Sequence, residues 1–103
     1  MKICADHKEG VLYIHLCGDV DEHNASEARR DADKLADSFA PRTNRAVIDL
    51  QSVSFMDSTG IGFLIGRYKK FSRYGVAVYL ANPSQATDRI LQMSGVYTLM
   101  PRI

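Results

Sequence analysis

An α/β fold is predicted, with a mixed, mostly parallel sheet, an N-terminal antiparallel hairpin and helices packed mainly on one face. Three features of the sequence predict it. Leu12, Ile14 and Leu16 alternate with Tyr13 and His15, the period-2 pattern of a strand with one apolar face. Ala46-Val47-Ile48-Asp49-Leu50 and Val76-Ala77-Val78-Tyr79-Leu80-Ala81 are nearly continuous apolar runs, as expected of covered strands in a parallel sheet. Segments with helical spacing separate these strands.

The elements follow in order. Lys2 to His7 reads as a short strand joined to Val11–Cys17 through a turn at Lys8-Glu9-Gly10. That register places Cys4 opposite residues near 14 to 16, so Cys4 and Cys17 do not pair and are expected to be buried free thiols. Gly18 to His23 forms a polar loop. Asn24, with Glu27 three residues on, has the pattern of an N-cap with a reciprocal Glu, so a helix begins near Ala25. Ala25, Ala28, Ala32, Leu35, Ala36 and Phe39 form its apolar stripe, and the small residues allow close approach to the sheet. Pro41 stops this helix and disfavours a helical conformation at Ala40.

After the strand at 46–50, Ile61, Leu64, Ile65, Tyr68 and Phe71 repeat with helical spacing up to a stop at Gly75. Ser84 caps a third helix running to about Met93, with Ile90, Leu91 and Met93 as its apolar surface and Gly95 as its end. Val96 to Met100 reads as a last strand. Right-handed crossovers between strands laid down in sequential order put every helix on the same face.

The 103 residues, 46% of them hydrophobic, fit one core and one domain spanning 1–103. With 13 basic and 12 acidic side chains, the formal charge of +1 gives no global field for nucleic acid or an anionic membrane, so any partner is read through a local patch. No apolar run approaches the roughly 20 residues that span a bilayer, and Met1-Lys2-Ile3-Cys4-Ala5-Asp6 turns polar too early for a signal peptide. A cytoplasmic location is expected.

The segment that can carry chemistry is Phe55-Met56-Asp57-Ser58-Thr59-Gly60-Ile61-Gly62, a strand-to-helix turn with a hydroxyl at its tip. Asp57, Ser58 and Thr59 can each cap a helix. Gly60 and Gly62 sacrifice helix propensity, about 1 kcal/mol each relative to Ala. One reading has Ser58 merely capping the helix and the glycines permitting tight packing. The other gives the hydroxyl a function.

Catalytic readings fit poorly. A nucleophile elbow needs G-x-S-x-G, but Met56 stands where the first glycine belongs, and His7, His15 and His23 all precede the serine on the first strands and loop. Gly60-x-Gly62-x-x-x-Gly66 displaces the third glycine of a dinucleotide turn by one position, and Asp57 and Asp21 bring negative charge near a phosphate. There is no Walker segment. His23 with Asp19, Asp21 and Glu22 lacks the spacing of a calcium loop, and His15 reads as a strand surface residue rather than a ligand. Arg67, Lys69, Lys70 and Arg73 suggest a phosphate-binding strip, but cations in the last turns of a surface helix complement its dipole without any ligand. Neither cofactor nor metal is expected, and the chain reads as a binding protein rather than an enzyme.

From Ile48-Asp49-Leu50 through Asp57-Ser58-Thr59-Gly60-Ile61-Gly62 the sequence resembles the signature of the STAS family, most closely the bacterial anti-sigma factor antagonists of the sporulation type. The resemblance continues through Gly66-Arg67-Tyr68-Lys69-Lys70 and Met93-Ser94-Gly95. It reaches back to Leu16-Cys17-Gly18-Asp19-Val20-Asp21, so it covers nearly the whole chain. It implies the STAS fold and a switch: the serine after the aspartate of the D-[ST]-[ST]-G turn, here Ser58, is phosphorylated by an anti-sigma factor that is itself a serine kinase. The unphosphorylated form binds that kinase and frees the sigma factor, and a PP2C-type phosphatase resets the modified form. Thr59 stands where relatives often have serine or alanine and offers a second hydroxyl. Many relatives continue into a C-terminal helix, whereas this sequence runs to Pro101-Arg102-Ile103.

On this reading Asp21, Asn24, Asp57, Ser58, Thr59, Ile61 and Gly62 form the partner-binding surface. Ile61 and Gly62 offer an apolar contact and close backbone approach, and Asp21 and Asn24 frame the site. An inward core position for Ile61 fits its phase with Leu64 and Tyr68 equally well. The other roles open to a STAS module are a stressosome-like scaffold, a lipid-transport accessory subunit or the regulatory tail of an anion transporter. A small nucleotide-binding protein is the competing reading from another class.

Overall fold

Alternation in the first twenty residues builds a hairpin, and the computed structural model, which describes all 103 residues from Met1 to Ile103, shows where it turns. Strands β1 (Lys2–Lys8) and β2 (Val11–Val20) are antiparallel, with Lys8 opposite Val11. The two residues between them, Glu9 and Gly10, have φ of 53° and 79°, the positive pair required by the tight turn whose twist matches the strands. Cys4 lies opposite His15, in the expected register, and both thiols are free. They are not buried: Cys4 is on the exposed side of an edge strand, and Cys17 is half-exposed.

Helix α1 (Ala25–Phe39) leads to β3 (Arg45–Met56), α2 (Ser58–Ser72), β4 (Ala77–Ala81) and α3 (Gln85–Ser94). The sheet order is β1-β2-β3-β4, with β2, β3 and β4 parallel. Leu12, Ile14, Leu16, Ala46, Ile48, Leu50, Val78 and Leu80 point to one side by the period of two. There they form one core with Ala28, Ala32 and Ala36 of α1, Leu64 and Phe71 of α2, and Leu91 of α3. All three helices therefore cover one face, as sequential right-handed crossovers require. No helix is long and apolar enough to cross a membrane.

Several expectations fail for physical reasons. Gly18, Asp19 and Val20 belong to β2 rather than to a loop, because two register shifts let the strand continue along β3 and bury Val20 opposite Met56. β3 likewise runs six residues past Leu50. Asn24 does not cap α1 with its side chain: its Oδ1 accepts from the Asp21 N–H at 3.2 Å and its Nδ2 donates to the Asp19 carbonyl at 2.8 Å. Ala40 is helical (φ −55°, ψ −37°), because Pro41 falls in the first positions of a 3-10 turn (Ala40–Arg42), where no donor is needed. On α3, only Leu91 of the three expected apolar residues is buried; Ile90 is half-exposed and Met93 is 81% exposed.

The expected last strand is a 3-10 turn, Val96–Thr98. Gly95, at φ 77°, ends α3, and Val96 and Met100 are buried at a spacing of four, which a strand would send to the same face only alongside residue 98. Sheet pairing reappears beyond it, where Leu80 donates to the Pro101 carbonyl and accepts from the Ile103 N–H.

The sheet face away from the helices carries a polar bridge. His15 Nδ1 lies 2.8 Å from Asp49 Oδ2, and its Nε2 lies 3.2 Å from Asp6 Oδ2. Burial pushes the Asp49 carboxyl up, but donors from Asn82 at 3.1 Å, the Gln51 N–H at 3.1 Å and His15 outweigh it and hold the group below its ordinary value. Such a carboxylate stabilises the fold above the ordinary carboxylate range, and that stabilisation is lost as pH falls through the lowered value. Asp49→Asn is therefore expected to be less stable than the parent at pH 7, with the gap closing below about pH 4 in urea melts.

The start of α2 sits tightly against the sheet. A Cβ on Gly60 would overlap Met56 Cγ and come within 3.0 Å of the Val20 carbonyl oxygen, whereas one on Gly62 would meet nothing within 4 Å. Gly60→Ala should destabilise by about 1–3 kcal/mol through overpacking. Gly62→Ala should leave stability unchanged or raise it by up to about 1 kcal/mol, and denaturant titration of the pair separates the two effects.

Candidate functional site

Parallel pairing of β2 with β3 brings both chain exits to one edge of the sheet. Val20 and Met56 are the last paired residues, so Asp21 and Asp57 leave the sheet side by side. Asp57, in extended conformation, is the N-cap of α2: its Oδ1 accepts from the Thr59 N–H at 2.9 Å and the Gly60 N–H at 3.2 Å. The Ile61 N–H donates to the Asp57 carbonyl at 3.1 Å and closes the first turn. Capping is thus the work of Asp57, not Ser58. Ser58 is the first helical residue, it is exposed, and its hydroxyl takes no part in the cap.

Beyond the cap, the residues of this turn divide their tasks. Thr59 is half-buried, and Gly60 is the seat of the helix on the sheet. Ile61 packs against the core, the inward position considered for it, and also lines a groove on the surface. Gly62 is exposed over open space, so packing does not account for it.

The groove, of about 350 Å³, lies between the N-terminal turn of α2 and the C-terminal half of α3 and is lined by Ser58, Ile61, Ile90, Met93 and Ser94. Ser58 supplies one of its two hydroxyls and Ser94 the other. Ser94 is committed to its own helix end, donating to the Leu91 carbonyl at 2.8 Å. The Ser58 hydroxyl therefore stands uncommitted beside an apolar surface.

Asp21 and Asn24 lie on the neighbouring loop but are turned inward on it. Asp21 Oδ1 accepts from the His23 N–H at 3.0 Å, and the Asp21 carbonyl accepts from the Ala25 N–H at 3.0 Å. They share the sheet edge with Ser58 without lining the groove. Ile90, Met93 and Ser94 are additions that the sequence reading did not assign to the site. The sequence carries a signal only for exposure: Met93 lies two residues beyond Leu91, about 200° around a helix of 3.6 residues per turn, and so on the outer side of α3, whereas the approach of α3 to the head of α2 is set by the fold.

The comparisons with known proteins bear on the family and the fold. The family described as "STAS domain" matches residues 2–103. An anti-sigma F factor antagonist of Paenibacillus polymyxa is 31% identical over 101 residues, covering 98% of this chain and 85% of the relative. An anti-sigma-B factor antagonist of Bacillus subtilis is 31% identical over 98 residues, covering 93% of this chain and 86% of the relative. Among solved structures, the anti-sigma factor antagonist SpoIIAA in its unphosphorylated form superposes with a TM-score of 0.79 at 22% identity, over 99% of this chain and 88% of that one, a likeness of fold. With a four-stranded mixed sheet, three helices on one face and a D-S-T-G turn at the head of α2, the chain belongs to the STAS domain family.

Proposed function

We propose that this chain, acting as one STAS domain over residues 1–103, is an anti-sigma factor antagonist: unphosphorylated, it binds an anti-sigma factor that is also a serine kinase and releases the sigma factor. Phosphorylation of Ser58 ends that binding, and a PP2C-type phosphatase restores it. The chain is substrate and ligand in this scheme, not catalyst, and touches neither nucleic acid nor membrane. The observation that carries the reading is the exposed Ser58 hydroxyl, left out of the cap by Asp57 and placed on the rim of an apolar groove. The relatives' names support the same role.

Phosphate adds about −1.5 to −2 charge and three acceptor oxygens. At the first position of α2 the fold tolerates it, because a helix N-terminus favours an anion by about 0.3–1 kcal/mol when exposed. The partner does not, since a dianion beside Asp57 meets a face shaped for a neutral hydroxyl and apolar side chains. An unpaired charge buried at an interface costs several kcal/mol, and about 4 kcal/mol already weakens binding a thousandfold. Ile61, Ile90 and Met93 supply the apolar contact, and Gly62 leaves room for close approach. Asp21, Asn24 and Thr59 border the docking face.

Ser58→Ala should bind the kinase as the parent does and take no phosphate in a transfer assay; retained phosphorylation would move the site to Thr59 or elsewhere. Ser58→Glu should keep its circular dichroism and melting temperature while binding at least tenfold more weakly, and parental affinity would rule out electrostatic exclusion. Met93→Asp, at a position 81% exposed, should likewise stay folded and lose at least tenfold in affinity by calorimetry. Unchanged affinity would take α3 out of the docking face.

A further inference from the structure

The basic residues at the C-terminal end of α2 acquire a different meaning once α1 is packed beside them. Arg29 and Asp33 of α1 meet Gly66, Arg67, Lys69 and Lys70 of α2, and Arg73 just past its end, around a surface pocket of about 260 Å³ with no hydrophobic residue in its lining. Such a lining offers nothing to an apolar ligand.

Dipole complementation alone leaves Arg67 unexplained. Arg67 is only 4% exposed, so it is not a surface cation at a helix end. Its Cζ lies 4.9 Å over the Phe63 ring, and its Nε lies 3.0 Å from Asp33 Oδ1, close enough for an ion pair but not aligned as a hydrogen bond. Nη1 has no partner. A guanidinium presents five donors in a fixed fork, and a buried unpaired one is disfavoured. Burial holds the Arg67 guanidinium below its ordinary value; Asp33 offsets this in part, and Arg29 adds to it.

The charge around Arg67 is unbalanced in one direction. Lys70 is engaged by Asp37 at 2.9 Å, and Asp33 serves Arg67. Arg29, Lys69 and Arg73 are exposed and enter none of the chain's ion pairs, although the formal charge of the whole chain is only +1. An anion with several oxygens placed between these three cations and the Arg67 fork would satisfy both. We infer that the pocket between α1 and the C-terminal half of α2 is a binding site for a phosphate group, free or carried as a monoester, held by Arg67 from below and by Arg29, Lys69 and Arg73 at the rim. Gly66 keeps the pocket open, since a Cβ there would meet nothing within 4 Å.

The test is a titration of the isotopically labelled full chain with inorganic phosphate, followed by amide NMR shifts at constant ionic strength maintained with chloride. Saturable shifts at Arg29, Asp33, Gly66, Arg67, Lys69 and Arg73 are expected, with half-saturation in the millimolar range. The double variant Arg29→Ala/Arg73→Ala, at exposed positions, should weaken binding at least tenfold without changing the fold. Gly66→Leu should block phosphate while keeping or raising the melting temperature. Ser58→Ala should bind as the parent does, which separates this pocket from the head of α2 and its fate from that of the proposed switch. O-phosphoserine in place of phosphate identifies the source: tighter binding points to a phosphate monoester, and equal or weaker binding to the free ion. Shifts no larger than those produced by chloride, shifts that survive the double variant, or shifts lost in Ser58→Ala would overturn the inference.

Discussion

The last rung of the β2–β3 ladder, Val20 opposite Met56, is the constraint on which the rest depends. It ends two neighbouring parallel strands at the same height, so their exits, Asp21 and Asp57, leave from one edge. It also forms the floor under α2, because Met56 and the Val20 carbonyl leave room for hydrogen alone at position 60. With that approach fixed, Asp57 can turn its carboxylate onto two free N–H groups, and the following side chain is directed outward. The exposure of Ser58 thus follows from backbone packing two residues to either side of it.

Most of this was legible in the sequence, because the signals there are local. Alternation in Val11–Cys17, the apolar runs at 46–50 and 76–81, and the serine cap at Ser84 each depend on residues a few positions apart, and Ser84 does accept the Thr87 N–H at 3.1 Å. The misreadings arise where a distant partner decides. Gly18 and Asp19 look like loop residues, yet β3 offers ladder positions that keep them in the strand. Asn24 has the spacing of a cap, but its amide serves the preceding loop. Val96 to Met100 has strand composition, while the left-handed Gly95 starts a turn that buries positions four apart.

The same distinction holds for the site. Ser58, Asp57 and Ile61 belong to one turn and could be found by reading along the chain. Ile90 and Met93 join them only because α3 returns to the same face of the sheet, and no spacing in sequence encodes that approach. Arg67 is the reverse case. Its neighbours Lys69 and Lys70 made it look like one more surface cation, whereas the helical phase of Leu64 and Phe71 carries it inward against Phe63.

Helix α2 is 15 residues long, about 22 Å at 1.5 Å per residue, with a hydroxyl at its head and a cluster of cations near its tail. The distance from Ser58 to Lys69 along this rod is roughly 16 Å, about two screening lengths at physiological ionic strength. A negative charge at one end is therefore nearly invisible at the other. Phosphate on Ser58 and an anion in the proposed pocket would thus act independently, although both would sit on one rigid rod.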